Sequence, residues 1–153
     1  VSSGDRAQGQ DQYDLLRYNE GESLTVYVDT GGVPTVCVGH TGPDVFISDL
    51  RRSQVECDEL LEADLYWVDV AINDLIHVPL NAHQYEALQS FVFNIGRTQF
   101  RQSSSREVLN SGDYEAVPYQ MRRWVYDDGV IIDGLIARRE REVSVWLTGS
   151  FSR

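Results

Sequence analysis

The period at which apolar residues recur changes along this chain, and each change predicts an element. Residues 1–10 are polar and rich in Gly and Ser, the composition of a flexible N-terminal end. From Asp11 onward Tyr13, Leu15 and Leu16 cluster as on one side of a short helix, which Gly21 stops directly after Glu20. The period then falls to two. Leu24, Val26 and Val28 alternate with Thr25 and Tyr27, and "DTGG" supplies turn residues before a second strand, "VPTVCV". This is the pattern of a β-hairpin. A further short strand is expected at Val45 to Ile47, before Ser48 or Asp49 caps the next segment.

From Ser53 to Ile76 the period lengthens to that of one long helix: Cys57, Leu61, Leu65, Val68, Ile72 and Leu75 or Ile76 recur in steps of three or four. Such a helix can bridge two lobes. Pro79 breaks it, Asn81 offers a cap, and the apolar run "YEALQSFVFNIG" predicts a buried helix that stops at Gly96. Three more helices are expected in "SSSREVLNSGD", in "YEAVPYQMRRWVY" despite Pro118, and in "LIARREREVSVWLTG", which Gly149 ends. The expected fold class is α+β, a small hairpin-containing lobe followed by a mainly helical one. At 153 residues the chain suits one folding unit and is too short for two independent enzymatic domains.

Composition narrows the function. The net charge is -11, from 24 acidic and 13 basic residues, and every basic residue is Arg. Such a surface argues against a nucleic-acid partner, since phosphate binding needs a basic face. No run of about 18 apolar residues marks a membrane span, so no stable membrane association is expected of this form. The stretch "VSSGDRAQGQDQ" lacks the basic start and apolar core of an export signal. The chain begins with Val rather than Met, which leaves room for an export segment upstream. Cys37 and Cys57 have no metal-ligand spacing, and His40, His77 and His83 form no H-E-x-x-H arrangement, so no metal or other cofactor is expected. The two cysteines either close one disulfide, in an oxidising compartment, or are buried thiols.

Candidate chemistry concentrates in "NEGESLTVYVDTGGVPT". Cleaving a glycosidic bond takes a proton donor for the leaving oxygen and a carboxylate that directs water at the sugar carbon. A hairpin that starts just after a helix-end glutamate folds back so that Asp29, near its turn, and Thr35, on its return strand, approach Glu20. In that arrangement Glu20 is the acid, Asp29 the base, and the Thr35 hydroxyl helps hold the attacking water. Each residue also has an ordinary reading: Asp before Gly-Gly is turn chemistry, Thr suits a strand, and a glutamate at a helix end is often merely solvated.

Resemblance separates these readings. Glu20 followed by Gly21, Asp29 with eight residues between it and Glu20, Thr35 after five more and then Gly39-His40 are similar to the active-site pattern of phage-type lysozymes, the endolysins of glycoside hydrolase family 24. The segments "FVFNIG", "LNSGDY", "RRWVY" and "GLIARREREV" resemble the helical lobe of the same endolysins, and the "VCVGHTG" form resembles their lambdoid-phage signal-anchor branch. The similarity spans roughly residues 13 to 149. It implies a lysozyme-like domain over 11–153, with a catalytic β lobe about 18–52, a connecting helix about 53–76 and a helical lobe about 80–149.

The implied activity is that of an endolysin muramidase, hydrolysing the β-1,4 bond between N-acetylmuramic acid and N-acetylglucosamine with inversion and lysing the host wall. The implied partner is the peptidoglycan glycan strand, met by a monomer at the cell wall, in the periplasm of a Gram-negative host. The resemblance pairs His40 with Asp64 as a stabilising ion pair and favours the Cys37–Cys57 disulfide. Asn94 is either a substrate contact or an ordinary cap residue at its helix end. Trp124 and Trp146 are expected in core packing, and Arg138 and Arg139 on the helix surface or in interlobe ion pairs. Pro34, where an aromatic residue often precedes the threonine, and Pro118 depart from the family pattern. The alternative reading is a non-catalytic cell-wall-binding or structural module that keeps the fold.

Overall fold

The structure is a computed structural model that describes residues 13–28, 34–38, 40–42, 44–45 and 53–153. Several sequence expectations lie outside the described residues: the loose end at 1–10, Asp29 and the turn "DTGG", Gly39, most of the strand at Val45 to Ile47, and the caps at Ser48 or Asp49.

Helix α1 runs Asp14–Glu20. It ends where Gly21 takes φ +77°, and the Gly21 N–H bonds the Arg17 carbonyl at 2.8 Å. Only glycine holds that left-handed turn without strain. Strand β1, Ser23–Val28, pairs antiparallel with β2, Pro34–Cys37, so that Tyr27 stands opposite Thr35 and Val28 opposite Pro34. The register shifts between Ser23 and Tyr27. Pro34 is the first residue of its strand, a place where the missing N–H costs little.

Helix α2, Gln54–Asp64, starts at a complete capping box, in which the Ser53 hydroxyl accepts from the Glu56 N–H and the Glu56 carboxylate accepts from the Ser53 N–H. Helix α3, Tyr66–Leu75, follows after a single residue. The expected helix over 53–76 is therefore interrupted at Leu65, whose N–H still bonds the Leu61 carbonyl at 2.9 Å. No Gly or Pro marks the break, which is why the apolar period passes through it.

The chain forms two units, Leu16–Trp67 and a second made of Val68–Arg153 with the stretch that ends at Leu15. In the smaller unit Val36, Cys37, Val45 and Cys57 form a buried cluster, with Leu60 against it.

The larger unit is built on α4, Ala82–Ile95, and α8, Asp133–Thr148, which pack on each other. Asn81 caps α4 in a second capping box with Gln84. Phe91 of α4 is fully buried and meets Phe100 and Trp124 edge-on, each 6.3 Å away. Between them lie α5, Arg97–Arg101, and α6, Ser104–Asn110, capped by Ser103. The helix expected over "YEAVPYQMRRWVY" is corrected: a 3₁₀ turn, Tyr114–Ala116, leads into α7, Val117–Arg122, and the helix ends there. Pro118 sits in the first turn of α7, where its absent N–H has no intrahelical partner to lose. Beyond it, β3, Tyr126–Asp127, and β4, Val130–Ile131, form a second hairpin. Its turn residues Asp128 and Gly129 take φ +52° and +79°, the Asp-Gly signature of a tight hairpin.

Candidate active site

Glu20 closes α1 as its last residue and is half-buried; Thr35 is the second residue of β2 and is buried. Both belong to the unit Leu16–Trp67. One helical turn before Glu20, the Arg17 guanidinium donates to Asp58 of α2 and lies 3.5 Å from Glu22. Gln54 donates to both carboxylates, at 3.1 Å to Glu22 and 3.0 Å to Asp58. The end of α1 is thereby tied to α2.

Thr35 is held from the other end of its strand. Cys37 closes β2 in a left-handed conformation, φ +59°, which costs a non-glycine residue about 1 kcal/mol. A disulfide joins Cys37 to Cys57 of α2. Val36 and His40 exchange two backbone hydrogen bonds, at 2.9 and 2.8 Å, and fold the chain back directly after the strand. His40 Nδ1 then meets Asp64 Oδ2 at 2.7 Å, and Nε2 meets Asp44 Oδ2 at 3.0 Å. Cys57 and Asp64 stand two turns apart on α2, on one face, so the segment that carries Thr35 is anchored to that helix twice. Burial lowers the His40 pKa, but the hydrogen bonds and charges of Asp64 and Asp44 outweigh it and leave the imidazole above its ordinary value.

Asn94, near the C-terminal end of α4 in the larger unit, is exposed, and its Oδ1 accepts a hydrogen bond from Arg139 Nη2 at 2.6 Å. It borders a depression of about 410 Å³ shared with Gln99, Trp124, Tyr126, Leu135 and Arg139. The surface reading of Arg138 and Arg139 is corrected: both are buried, around a Glu142 carboxylate with no exposed area. Arg138 Nε donates to Glu142 at 3.1 Å, Arg139 Nε lies 2.7 Å from it, and the Ser90 hydroxyl donates to it at 2.6 Å. Arg139 also donates to the Trp124 carbonyl at 3.2 Å and lies over the Phe91 ring at 5.1 Å. The signal was present, since Arg139, Glu142, Val143 and Trp146 follow each other at core-facing helical steps. Trp146 is buried and Trp124 half-buried, and both pack on neighbouring aromatic rings. Among the described residues no helix is long and apolar enough to cross a membrane.

The family model for phage lysozyme matches residues 17–142, a span that contains Glu20, Asp29, Thr35 and Asn94. The chain is 48% identical over 132 residues to the SAR-endolysin of Escherichia phage Mu, covering 86% of this chain and 75% of that one. It is 40% identical over 136 residues to the endolysin of Salmonella phage P22, covering 87% and 92%. Among solved structures, a P22 lysozyme mutant superposes with a TM-score of 0.79 at 34% identity, over 96% of this chain and 97% of that one. The muramidase domain of SpmX from Asticaccaulis excentricus gives 0.77 at 30%, over 94% and 99%. The hairpin with its preceding helix-end glutamate, the helical unit after it and these likenesses have one explanation: the chain belongs to the phage lysozyme family.

Proposed function

We infer that the protein is a peptidoglycan hydrolase of the endolysin type, an N-acetylmuramidase that cuts the β-1,4 bond between N-acetylmuramic acid and N-acetylglucosamine. The observation that carries the reading is that the family match spans the Glu20, Asp29, Thr35 spacing, with Glu20 ending a helix and Thr35 buried in the return strand of a hairpin. Glu20 protonates the leaving glycosidic oxygen. Asp29 takes a proton from a water held with the Thr35 hydroxyl, and that water attacks the anomeric carbon from the opposite face and inverts it. Asn94 contacts the sugar chain. The enzyme works as a monomer, without a cofactor, on the wall exposed in the periplasm of a Gram-negative host, and lysis of that host is its role.

Clearing of purified cell walls, measured for the wild type beside Glu20→Gln, tests this. The acid's loss lowers the rate by roughly 10²- to 10⁴-fold, and wild-type fragments carry reducing-end muramic acid. Fragments ending in an anhydro sugar would instead identify a lytic transglycosylase. Binding without clearing, across salt and pH, would leave the wall-binding module as the better reading.

A further inference from the structure

The β3–β4 hairpin exposes apolar surface that the fold does not use. Tyr126 is 59% exposed, Val130 61% and Ile131 51%, in a chain whose net charge is -11. Tyr126 stands opposite Ile131 in the register, so these two share one face of the hairpin, while Asp127 and Val130 share the other. The base is held firmly. The Ile132 N–H bonds the Val125 carbonyl at 2.9 Å, Arg139 bonds the carbonyl of Trp124, and the Trp124 ring abuts buried Phe91. The Asp128-Gly129 turn fixes the tip. An apolar pair on so constrained a support is pre-organised to receive something flat.

What flanks the ridge indicates what that is. Tyr126 borders two depressions at once, the one that holds Asn94 and Gln99 and a larger one of about 670 Å³ that holds Gln102 and Gln120. An aromatic ring between carboxamide-bearing hollows matches an N-acetylated sugar, whose C–H face packs on the ring while its acetamido and hydroxyl groups find amides on either side. We propose that Tyr126 is a sugar-stacking residue of the larger unit, and that the β3–β4 hairpin is a subsite for the peptidoglycan glycan strand. This deepens the muramidase reading and rests on it. The residue binds substrate and takes no part in bond cleavage, so it acts on the concentration of wall needed for half-maximal rate and leaves the maximal rate alone.

The test compares wild type, Tyr126→Ala, Tyr126→Trp and Tyr119→Ala, a variant of a similarly exposed tyrosine on α7, by initial clearing rate against wall concentration. Pelleting of each protein with the same purified walls runs alongside. The expected result is a half-saturation raised about tenfold in Tyr126→Ala, restored in Tyr126→Trp, with unchanged maximal rate and weaker pelleting. Tyr119→Ala matches wild type in both assays. Unchanged half-saturation and pelleting in Tyr126→Ala overturn the proposal, as does an equal loss in Tyr119→Ala, which would mark unspecific adhesion. So does sedimentation showing a wild-type dimer that Tyr126→Ala disperses, which would make the ridge a contact between copies. A wild type that pellets but never clears walls removes the muramidase reading alone, since the pelleting comparison still decides whether Tyr126 holds the glycan.

Discussion

The units on either side of Trp67 hold their polar residues in place by different means. In Leu16–Trp67 the described apolar core gathers Val36, Val45 and the two cysteines in one cluster and also buries Leu16, Val38, Leu61 and Leu65, and the segments that carry Glu20 and Thr35 are cross-linked besides: one disulfide, the Arg17–Asp58 pair and His40 between two aspartates. In the larger unit an apolar core, with Phe91, Phe100, Met121 and Trp146 in it, surrounds a largely buried charged network whose Glu142 has no exposed area. Few residues cannot bury enough apolar surface to fix a hairpin, so covalent and ionic ties substitute for packing. In a larger core the same charges are costly to bury and persist only because every one is paired. The comparison predicts that the two units fail differently when their ties are cut.

The largest effect is expected at Glu142. Glu142→Ala strands two buried guanidiniums and costs about 3–5 kcal/mol, read as a lower urea midpoint for residues 68–153. Replacing Arg138, Arg139 and Glu142 together by Met, Met and Leu recovers most of that stability, because the desolvation penalty leaves with the charges. Arg139 also holds the Asn94 side chain at 2.6 Å, so on the role proposed for Asn94 the triple variant is stable yet binds walls less well. A loss below about 1 kcal/mol in Glu142→Ala would mean that water reaches the network and that the two units do not differ in the way described.

The disulfide comes next. Cys37→Ser with Cys57→Ser frees a loop of 20 residues and is expected to cost about 3 kcal/mol. By hydrogen exchange the loss of protection is confined to Leu16–Trp67, with amides of α4 and α8 unchanged. On the role proposed for Thr35, two residues from Cys37, wall clearing falls with it. Faster exchange in α4 would show that the cross-link supports the whole chain rather than its hairpin unit.

How far all this could be read in the sequence follows from the range of the forces involved. Elements set by local rules were legible: Gly21 and Gly149 ending helices, Asn81 capping α4, the period-two run of β1. The spacing of Glu20, Asp29 and Thr35 was read from one short stretch; Glu20 stands at its expected helix end and Thr35 on its expected strand, while Asp29 lies outside the described residues. Less legible was whatever depends on a neighbour distant in the chain. The helical spacing of Arg139 and Glu142 marks a core-facing side, but that Ser90, 48 positions away from Arg138, shares the same carboxylate has no mark in the sequence. Asp44, the second partner of His40, is a loop aspartate with no sequence mark of its role. The interruption at Leu65 lacks any breaker, whereas the β3–β4 hairpin did carry its Asp-Gly signal, overshadowed by the helical pattern on either side.

The smallest effect, and the one that tests whether ionic ties matter in the smaller unit, is at His40. Its folded pKa is raised, so the imidazolium is bound more tightly in the native state than in the unfolded one. The stabilisation is fully present below the ordinary imidazole value of 6.5 and is lost as pH rises through the raised folded value. Asp64 accepts at 2.7 Å and is the less exposed of the two carboxylates, so it should carry the larger share. Asp64→Asn therefore flattens most of the pH dependence of exchange protection in Leu16–Trp67, and Asp44→Asn flattens less of it. Each is worth at most about 1 kcal/mol, since both carboxylates remain partly hydrated. A profile that steepens in Asp64→Asn, or a unit that gains stability as pH rises through this range, would show that burial of the imidazole outweighs its two partners; the disulfide and the Arg17–Asp58 pair would then have to hold the Thr35 strand without it.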